Sequence, residues 1–295
     1  MIQNACDCCK SSNTVEINSD SFFDLPILKC KNCSGYFVKN KNKIDLKKYY
    51  NETYWNVFRN IDKKKDLKEK TDEAYLLKKF PNIIQNIIEA TGIKKALAFS
   101  QYNYLKKFLN KGKLLEIGSG QGFILELFEK NEFDVLGIEP SEKNVEIINK
   151  KLKKGKCKHG FIENENIDET KFDLIIMSHV LEHVIDSRET IEKMKKMLSN
   201  TGFLFIEVPN CGSEKYLEES IQTQPHIHHF TKQSIQKLLE SIGLEIIKVD
   251  VLNGEVSSLT QHLKYFLFWI FKKDFFYSLE ENNAKYLRII AKNNQ

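Results

Sequence analysis

Leu114-Leu-Glu-Ile-Gly-Ser-Gly-Gln-Gly122 is the stretch on which the reading of this chain turns. It runs as an apolar strand into three spaced glycines and reopens as Phe123–Lys130, whose apolar residues recur at helical spacing. A strand that ends in such a turn lets the backbone approach a ligand closely, although G-x-G-x-G by itself is weak evidence. The second half of the signal is Glu139, which ends the apolar stretch Asp134–Glu139 19 residues after Gly120. An acidic group there can accept both hydroxyls of a ribose, so the pair points to a nucleoside site.

A dinucleotide site would want the G-x-G-x-x-G form, and Phe123 stands where its third glycine would fall. Glu116 places a carboxylate near the turn, which suits the ammonium of an amino-acid-bearing nucleoside better than a pyrophosphate. Such a ligand would be S-adenosylmethionine.

Outward from the turn, strand and helix patterns alternate. Lys113–Ile117, Asp134–Glu139, Cys157–Ile162, Phe172–Ser178 and Gly202–Val208 read as strands, and Phe123–Lys130, Glu142–Leu152 and Arg188–Leu198 as helices. The expected fold is a doubly wound, Rossmann-like α/β domain on a parallel sheet, with ligands outside the carboxyl ends of its strands. Upstream, Leu46–Asn110 reads as helix. Within it, Lys63–Lys70 is most simply a solvated face, and the aromatic Tyr49–Trp55 stretch is either a packed face or part of a ligand lid.

At the N-terminus, Cys6-x2-Cys9 and Cys30-x2-Cys33 form C-x2-C-x20-C-x2-C, two knuckles that offer four thiolates to one tetrahedral zinc. Cys8 is expected to be a bystander, though exchange with Cys9 as ligand is conceivable. Short alternating stretches between and after the pairs make this a small β ribbon with too few apolar residues to fold without its metal. Four thiolates leave no open position, so the zinc is expected to be structural.

The remaining composition excludes more than it assigns. With 295 residues, 41% hydrophobic and 29% charged, 13 glycines and 5 prolines, the chain is neither fibrous nor repetitive. Its net charge of +5 is carried almost entirely by lysine, and Arg59, Arg188 and Arg288 are the only arginines, which argues against a dedicated nucleic-acid binder. The N-terminal residues lack a basic segment followed by an apolar one, so a cytoplasmic protein is expected. The most apolar window, Tyr265–Phe271, is far short of the roughly 20 residues that cross a bilayer.

The chain resembles the class I S-adenosylmethionine-dependent methyltransferases through Glu116–Gly122, Glu139, Gly160-Phe-Ile-Glu163, Phe172–His183, Gly202–Asn210 and His226–Thr231. It looks most like the subgroup with an N-terminal four-cysteine zinc ribbon, associated with sugar and surface-polysaccharide modification. The resemblance implies that Glu116 faces the methionine end of the cofactor, with Gly118, Ser119, Gly120 and Gly122 wrapping it. It also implies that Glu139 holds the ribose, that Phe161, Ile162 and Glu163 border the adenine, and that Ser178 lies beside the site. Leu244–Val251 and Ala284–Ala291 would form a closing antiparallel hairpin. The implied organisation is a ribbon at residues 1–43, a helical cap at 44–104 and the methyltransferase domain at 105–295, with a helical insertion at 252–283. The aromatic stripe of that insertion is read as core or homodimer packing ahead of a membrane-surface or acceptor contact.

Methyl transfer to a hydroxyl needs an aligned nucleophile and a route for its proton, for which histidine is the simplest base. His179, Glu182 and His183 follow the strand Phe172–Ser178 and, on a helix, would share one face at the pocket mouth. They could pack structurally, act in acid–base chemistry or hold a metal. The third reading rests on a similarity to plant small-RNA and ubiquinone-biosynthesis O-methyltransferases, which hold a divalent ion against the acceptor oxygen. A set of His179, Glu182, His183 and His226 would favour a softer ion than magnesium. His226 is the expected general base. Thr223-Gln-Pro-His226 matches the sugar C-methyltransferase pattern only at its histidine, which favours O-methylation. The expected activity is therefore methyl transfer to a hydroxyl of a sugar, nucleotide-sugar or related small molecule. The alternatives are an RNA methyltransferase and a non-catalytic cofactor-binding partner protein.

Overall fold

A computed structural model of the chain describes residues 5–46, 49, 93–165, 170–223, 225–252 and 284–293. Most of the expected helical cap, including the Lys63–Lys70 run, and residues 253–283 of the aromatic insertion lie outside the described residues.

Strand β4 (Gly112–Ile117) ends in the glycine turn and leads to helix α2 (Phe123–Glu129), preceded by helix α1 (Ile93–Leu105). Then follow β5 (Phe133–Glu139), α3 (Glu142–Lys151), β6 (Lys156–His159), β7 (Phe172–Ser178), α4 (Ser187–Met197) and β8 (Leu198–Pro209). Helices α5 (Glu214–Thr223) and α6 (Lys232–Ser241) flank a two-residue strand, β9 (His228–His229), before β10 (Leu244–Leu252) and β11 (Tyr286–Asn293) close the domain. The large sheet runs β10-β11-β8-β7-β4-β5-β6, parallel from β8 to β6 and antiparallel at β11 and β10. The strand order reverses at β4, with β5 on one side and β7 on the other, which puts the switch-point crevice at its carboxyl end.

Local sequence accounts for these elements. Four consecutive residues of β7, Leu174 to Met177, are almost wholly buried, as expected of a central strand covered on both faces. Side-chain caps start the helices: Ser141 accepts the Asn144 N–H, Asp186 that of Glu189, and Thr231 with Ser234 makes a reciprocal capping box on α6. The expected strand Cys157–Ile162 stops at His159, because Gly160 turns the chain and Phe161–Glu163 become loop.

The ribbon consists of β1 (Thr14–Asp20), β2 (Pro26–Cys30) and β3 (Tyr36–Val38). Its sheet is completed by a segment distant in sequence, since β3 pairs antiparallel with β9. Cys6, Cys30, Cys33 and Phe37 share one hydrophobic cluster with Ile191, Met194, Phe230 and Leu238, so ribbon and α/β domain are built around common apolar contacts. Among the described residues no helix is long and apolar enough to cross a membrane.

Candidate active site

The three glycines of the turn all have left-handed backbone, with φ of 72° at Gly118, 54° at Gly120 and 74° at Gly122. They differ in what surrounds them. A Cβ at Gly118 would meet Val180 Cγ2 at 2.3 Å, and one at Gly122 would meet Ile148 Cγ1 at 2.6 Å, so those two let helix and loop pack onto the sheet. A Cβ at Gly120 would meet nothing within 4 Å, and Gly120 itself lines the pocket at the carboxyl end of β4. Gly120 donates its N–H to Glu139 Oε2 (2.8 Å), while Glu139 Oε1 accepts from Ser141 N (3.1 Å) and Asn144 Nδ2 (3.4 Å). Burial raises the Glu139 carboxyl above its ordinary value even against these donors.

Of the residues expected at the cofactor, Gly118, Gly120, Glu139 and Phe161–Glu163 line one pocket, joined by Ser141, Asn144 and Leu46. Glu116, Ser119, Gly122 and Ser178 do not line it. Glu116 lies in the buried layer beneath the turn, where burial and then the Glu139 charge push its carboxyl well above the usual range. Ser119 Oγ donates to the Glu116 carbonyl (3.2 Å), and Ser178 Oγ accepts from Gln101 Nε2 (2.8 Å).

His179 and His183 line the other end of the pocket. The helical face expected to carry His179, Glu182 and His183 is absent: only Leu181–His183 form a single 3-10 turn, and His179 stands before it with φ of 54°. The reason is the ladder, because the His179 N–H still bonds to the Glu207 carbonyl (2.8 Å) at the end of β8. The ring of His179 sits between two carboxylates, Nδ1 at 3.5 Å from Glu182 and Nε2 at 3.4 Å from Glu207. Burial opposes its charged form, but the two glutamates outweigh it and push the pKa up to about 10.

Behind this rim lies a tighter group. Glu182 is 1% exposed and neither carboxylate oxygen has a hydrogen-bond partner. Ligand atoms of Glu182, His183 and His226 lie within 4.8 Å of one another, and His179 is not part of that set. His183 donates Nδ1–H to the Pro225 carbonyl (3.1 Å), which leaves Nε2 as a lone pair on the neutral ring. Ser220 Oγ lies 2.7 Å from His226 Nδ1 and 2.8 Å from His229 Nδ1. A hydroxyl has one proton, so it donates to one ring and accepts from the other. Burial lowers the pKa of both rings, well below 6.5 for His226 and to about 3 for His229. His226 Nε2 is 4.0 Å from Glu182 Oε1. Two imidazoles oriented through Nδ1 beside an unpartnered carboxylate form a donor set that fits a divalent cation.

Residues without a motif support this end. Arg288, 2% exposed on β11, donates Nε to Glu207 Oε2 (2.6 Å), and its guanidinium carbon lies 5.3 Å from the Tyr104 ring centroid and 5.6 Å from that of Phe205. Gln101 bridges Ser178 and Glu207. Against the burial that would raise it, Arg288 and His179 hold the Glu207 carboxyl down to about 2. A carboxylate depressed from its ordinary value contributes stability that is present above pH 4.5 and is lost as pH falls toward 2. Glu207→Gln should therefore cost about 3 kcal/mol at pH 7, in line with breaking a buried pair. Urea unfolding at pH 7, 5 and 3.5 should show the gap to the parent chain narrowing at the acid end. A gap independent of pH would mean that charge is not what holds this pair.

In the ribbon, Sγ of Cys6, Cys9, Cys30 and Cys33 all lie within 4.8 Å of one another, with Cys6 to Cys33 and Cys9 to Cys30 each at 3.5 Å. Their mutual spacing fits a single tetrahedral ion. Cys8 is buried beside them.

Residues 91–249 match the family model for a methyltransferase domain. The ubiquinone biosynthesis O-methyltransferase of Pelagibacter ubique is 33% identical over 114 residues, 38% of this chain and 48% of that protein. The chain thus spans about half the length of that curated relative. Among solved structures, an S-adenosylmethionine-dependent methyltransferase from Thermotoga maritima superposes with a TM-score of 0.53 at 19% identity, covering 74% of this chain and 99% of that one. The plantazolicin methyltransferase in complex with SAH gives 0.52 at 20% identity, covering 73% and 90%. At such identities the likeness is one of fold.

Proposed function

Because the chain belongs to the methyltransferase domain family, we propose that it transfers the methyl group of S-adenosylmethionine to a hydroxyl of a small-molecule acceptor. The cofactor would lie in the cradle of Gly118, Gly120 and Glu139, with Phe161–Glu163 along its base. The open space into which a Cβ of Gly120 would project is the observation that carries cofactor binding. Hydroxyl chemistry rests on the buried carboxylate of Glu182 beside the rings of His183 and His226.

An in-line displacement at the activated methyl carbon asks the protein to align the acceptor oxygen and dispose of its proton. Glu182, His183 and His226 would hold a divalent cation, which would supply Lewis acidity toward an acceptor hydroxyl. Without it, neutral His226 is the general base, held by Ser220. The name of the Pelagibacter relative supports oxygen as the methylated atom. Zinc in the four-thiolate ribbon is structural in this reading, and the resemblance of the ribbon subgroup supports a sugar or nucleotide-sugar acceptor.

The test is radiolabelled methyl transfer into cell extract fractionated into glycan, small-molecule, lipid, protein and RNA pools, beside a His226→Ala control. Label in glycan or nucleotide-sugar pools that is lost in the control is the expected result. Label in RNA would overturn it in favour of RNA methylation, and cofactor binding without label in any pool would favour a non-catalytic partner protein.

A further inference from the structure

Residues 225–229 carry three histidines past the acceptor end of the pocket, yet the segment has almost no structure of its own, since β9 is two residues long. Its backbone is held from both edges by other parts of the chain. On one edge Val38 donates its N–H to the Ile227 carbonyl (2.9 Å), and Tyr36 and Phe37 pair with His229 and His228. On the other, Ile227 donates to the Glu182 carbonyl (2.7 Å). The first edge belongs to the ribbon.

A side-chain node reinforces it. Asp7 lies inside the first cysteine knuckle, and its Oδ2 accepts from Ser187 N (3.0 Å) and Ser187 Oγ (3.3 Å), pairs with Lys41 and stands 3.5 Å from His228 Nε2. One carboxylate oxygen thus joins the knuckle, the start of α4 just after the His183 turn, and the histidine strand. Arg188 fastens the same knuckle by donating to the carbonyls of Asp7 (2.8 Å) and Cys8 (3.0 Å).

We propose that the four-cysteine ribbon is a positioning element of the acceptor site: β3 and Asp7 hold His226–His229 in register against Glu182 and His183. A two-residue strand contributes too little pairing to fix itself, since each backbone bond adds only modestly to stability. A ribbon this small folds only around its metal, so zinc occupancy sets the geometry of histidines that never touch the zinc. The cofactor cradle is built from the loops after β4, β5 and β6, strands with which no ribbon strand pairs, so the Val38 bond can be removed without breaking a backbone pairing of the cradle. Only the word acceptor in this inference rests on the function proposed above.

Val38→Pro in the full chain is the decisive variant, because Val38 N–H serves Ile227, whereas the neighbouring bond to β2 is made by Lys39 N–H to the Pro26 carbonyl (2.8 Å). With zinc content and S-adenosylmethionine affinity unchanged, the 15N ring signals of His226, His228 and His229 should shift or broaden. The ring of His159, bonded to the Pro140 carbonyl (3.0 Å) on the far edge of the sheet, serves as the unmoved control. Methyl transfer should fall by about tenfold or more, the scale of a lost positioning contact, through kcat and not through KM for the cofactor. Val38→Ala, which keeps the N–H but truncates a buried side chain packed in one cluster with Ile227, should lose some stability yet leave the ring signals in place. If Val38→Pro fails to hold zinc, Asp7→Ala decides by the same readout. Ring signals that stay in place in a zinc-loaded variant, or on chelation of the reduced parent chain, overturn the inference. Rings that move in a chain showing no transfer to any acceptor count against the proposed function alone.

Discussion

Titrated with S-adenosylmethionine, the Gly120→Ala chain is expected to bind on the order of 10²-fold more weakly than its parent, a loss of about 3 kcal/mol. The argument is steric and local. A Cβ at Gly120 meets no protein atom within 4 Å, so folding does not resist it through contacts. Backbone at a φ of 54° adds about 1–2 kcal/mol of strain for an alanine, worth a few degrees of melting temperature in a chain of this size. The methyl group instead occupies the space beside Glu139 that the proposed cofactor fills, and the Gly120 N–H to Glu139 bond ties its position to the carboxylate proposed to hold the ribose. Gly118→Ala and Gly122→Ala should behave differently. Their Cβ atoms run into Val180 and Ile148, so they carry a further 1–3 kcal/mol or so of overpacking and should lower the melting temperature most. Calorimetry on the three variants separates a cradle from a packing turn. Unchanged cofactor affinity in Gly120→Ala would remove the cradle from this crevice.

The glycine turn and Glu139 were legible because both obey local rules: a glycine spacing tied to left-handed φ, and an acid at the end of the next strand. Cysteine spacing announced the four-thiolate cluster for the same reason. The His179-x-x-Glu182-His183 pattern misled, since its i, i+3, i+4 spacing describes a helix face, while the β7–β8 ladder claims the His179 N–H and turns that residue out of any helix. The β3–β9 pairing was invisible because it joins stretches far apart in the sequence and β9 is too short to show a strand period. Ser220 and Gln101 carried no signal, being single polar residues without a motif. Arg288 did carry one: a rare arginine inside the apolar stretch Tyr286–Ala291 must be buried, and a buried guanidinium needs a carboxylate, which Glu207 supplies.

Glu182→Gln should lower methyl transfer by about 10³-fold, some 4 kcal/mol, while leaving S-adenosylmethionine affinity where it was. The substitution keeps the shape of the side chain and removes its charge. Glu182 is buried with neither oxygen hydrogen-bonded, which leaves both free to act as metal ligands. His179 approaches one oxygen at 3.5 Å but is shared with Glu207, whereas His183 and His226 turn toward Glu182 with their Nδ1 atoms already engaged. Calorimetric titration with manganese or zinc should show a divalent site in the parent chain, beyond the four-thiolate ion, that is absent from Glu182→Gln. The pH profile separates the two ways the histidines could serve. If neutral His226 is the base, burial has already lowered its pKa, so transfer is constant through pH 6.5 and declines only at lower pH as the ring protonates. In that case Glu182→Gln keeps most of its activity. If the carboxylate holds a cation, activity vanishes with the second site and returns with no change of pH. Loss of transfer together with loss of divalent binding would favour the cation; retained transfer would return the role to His226.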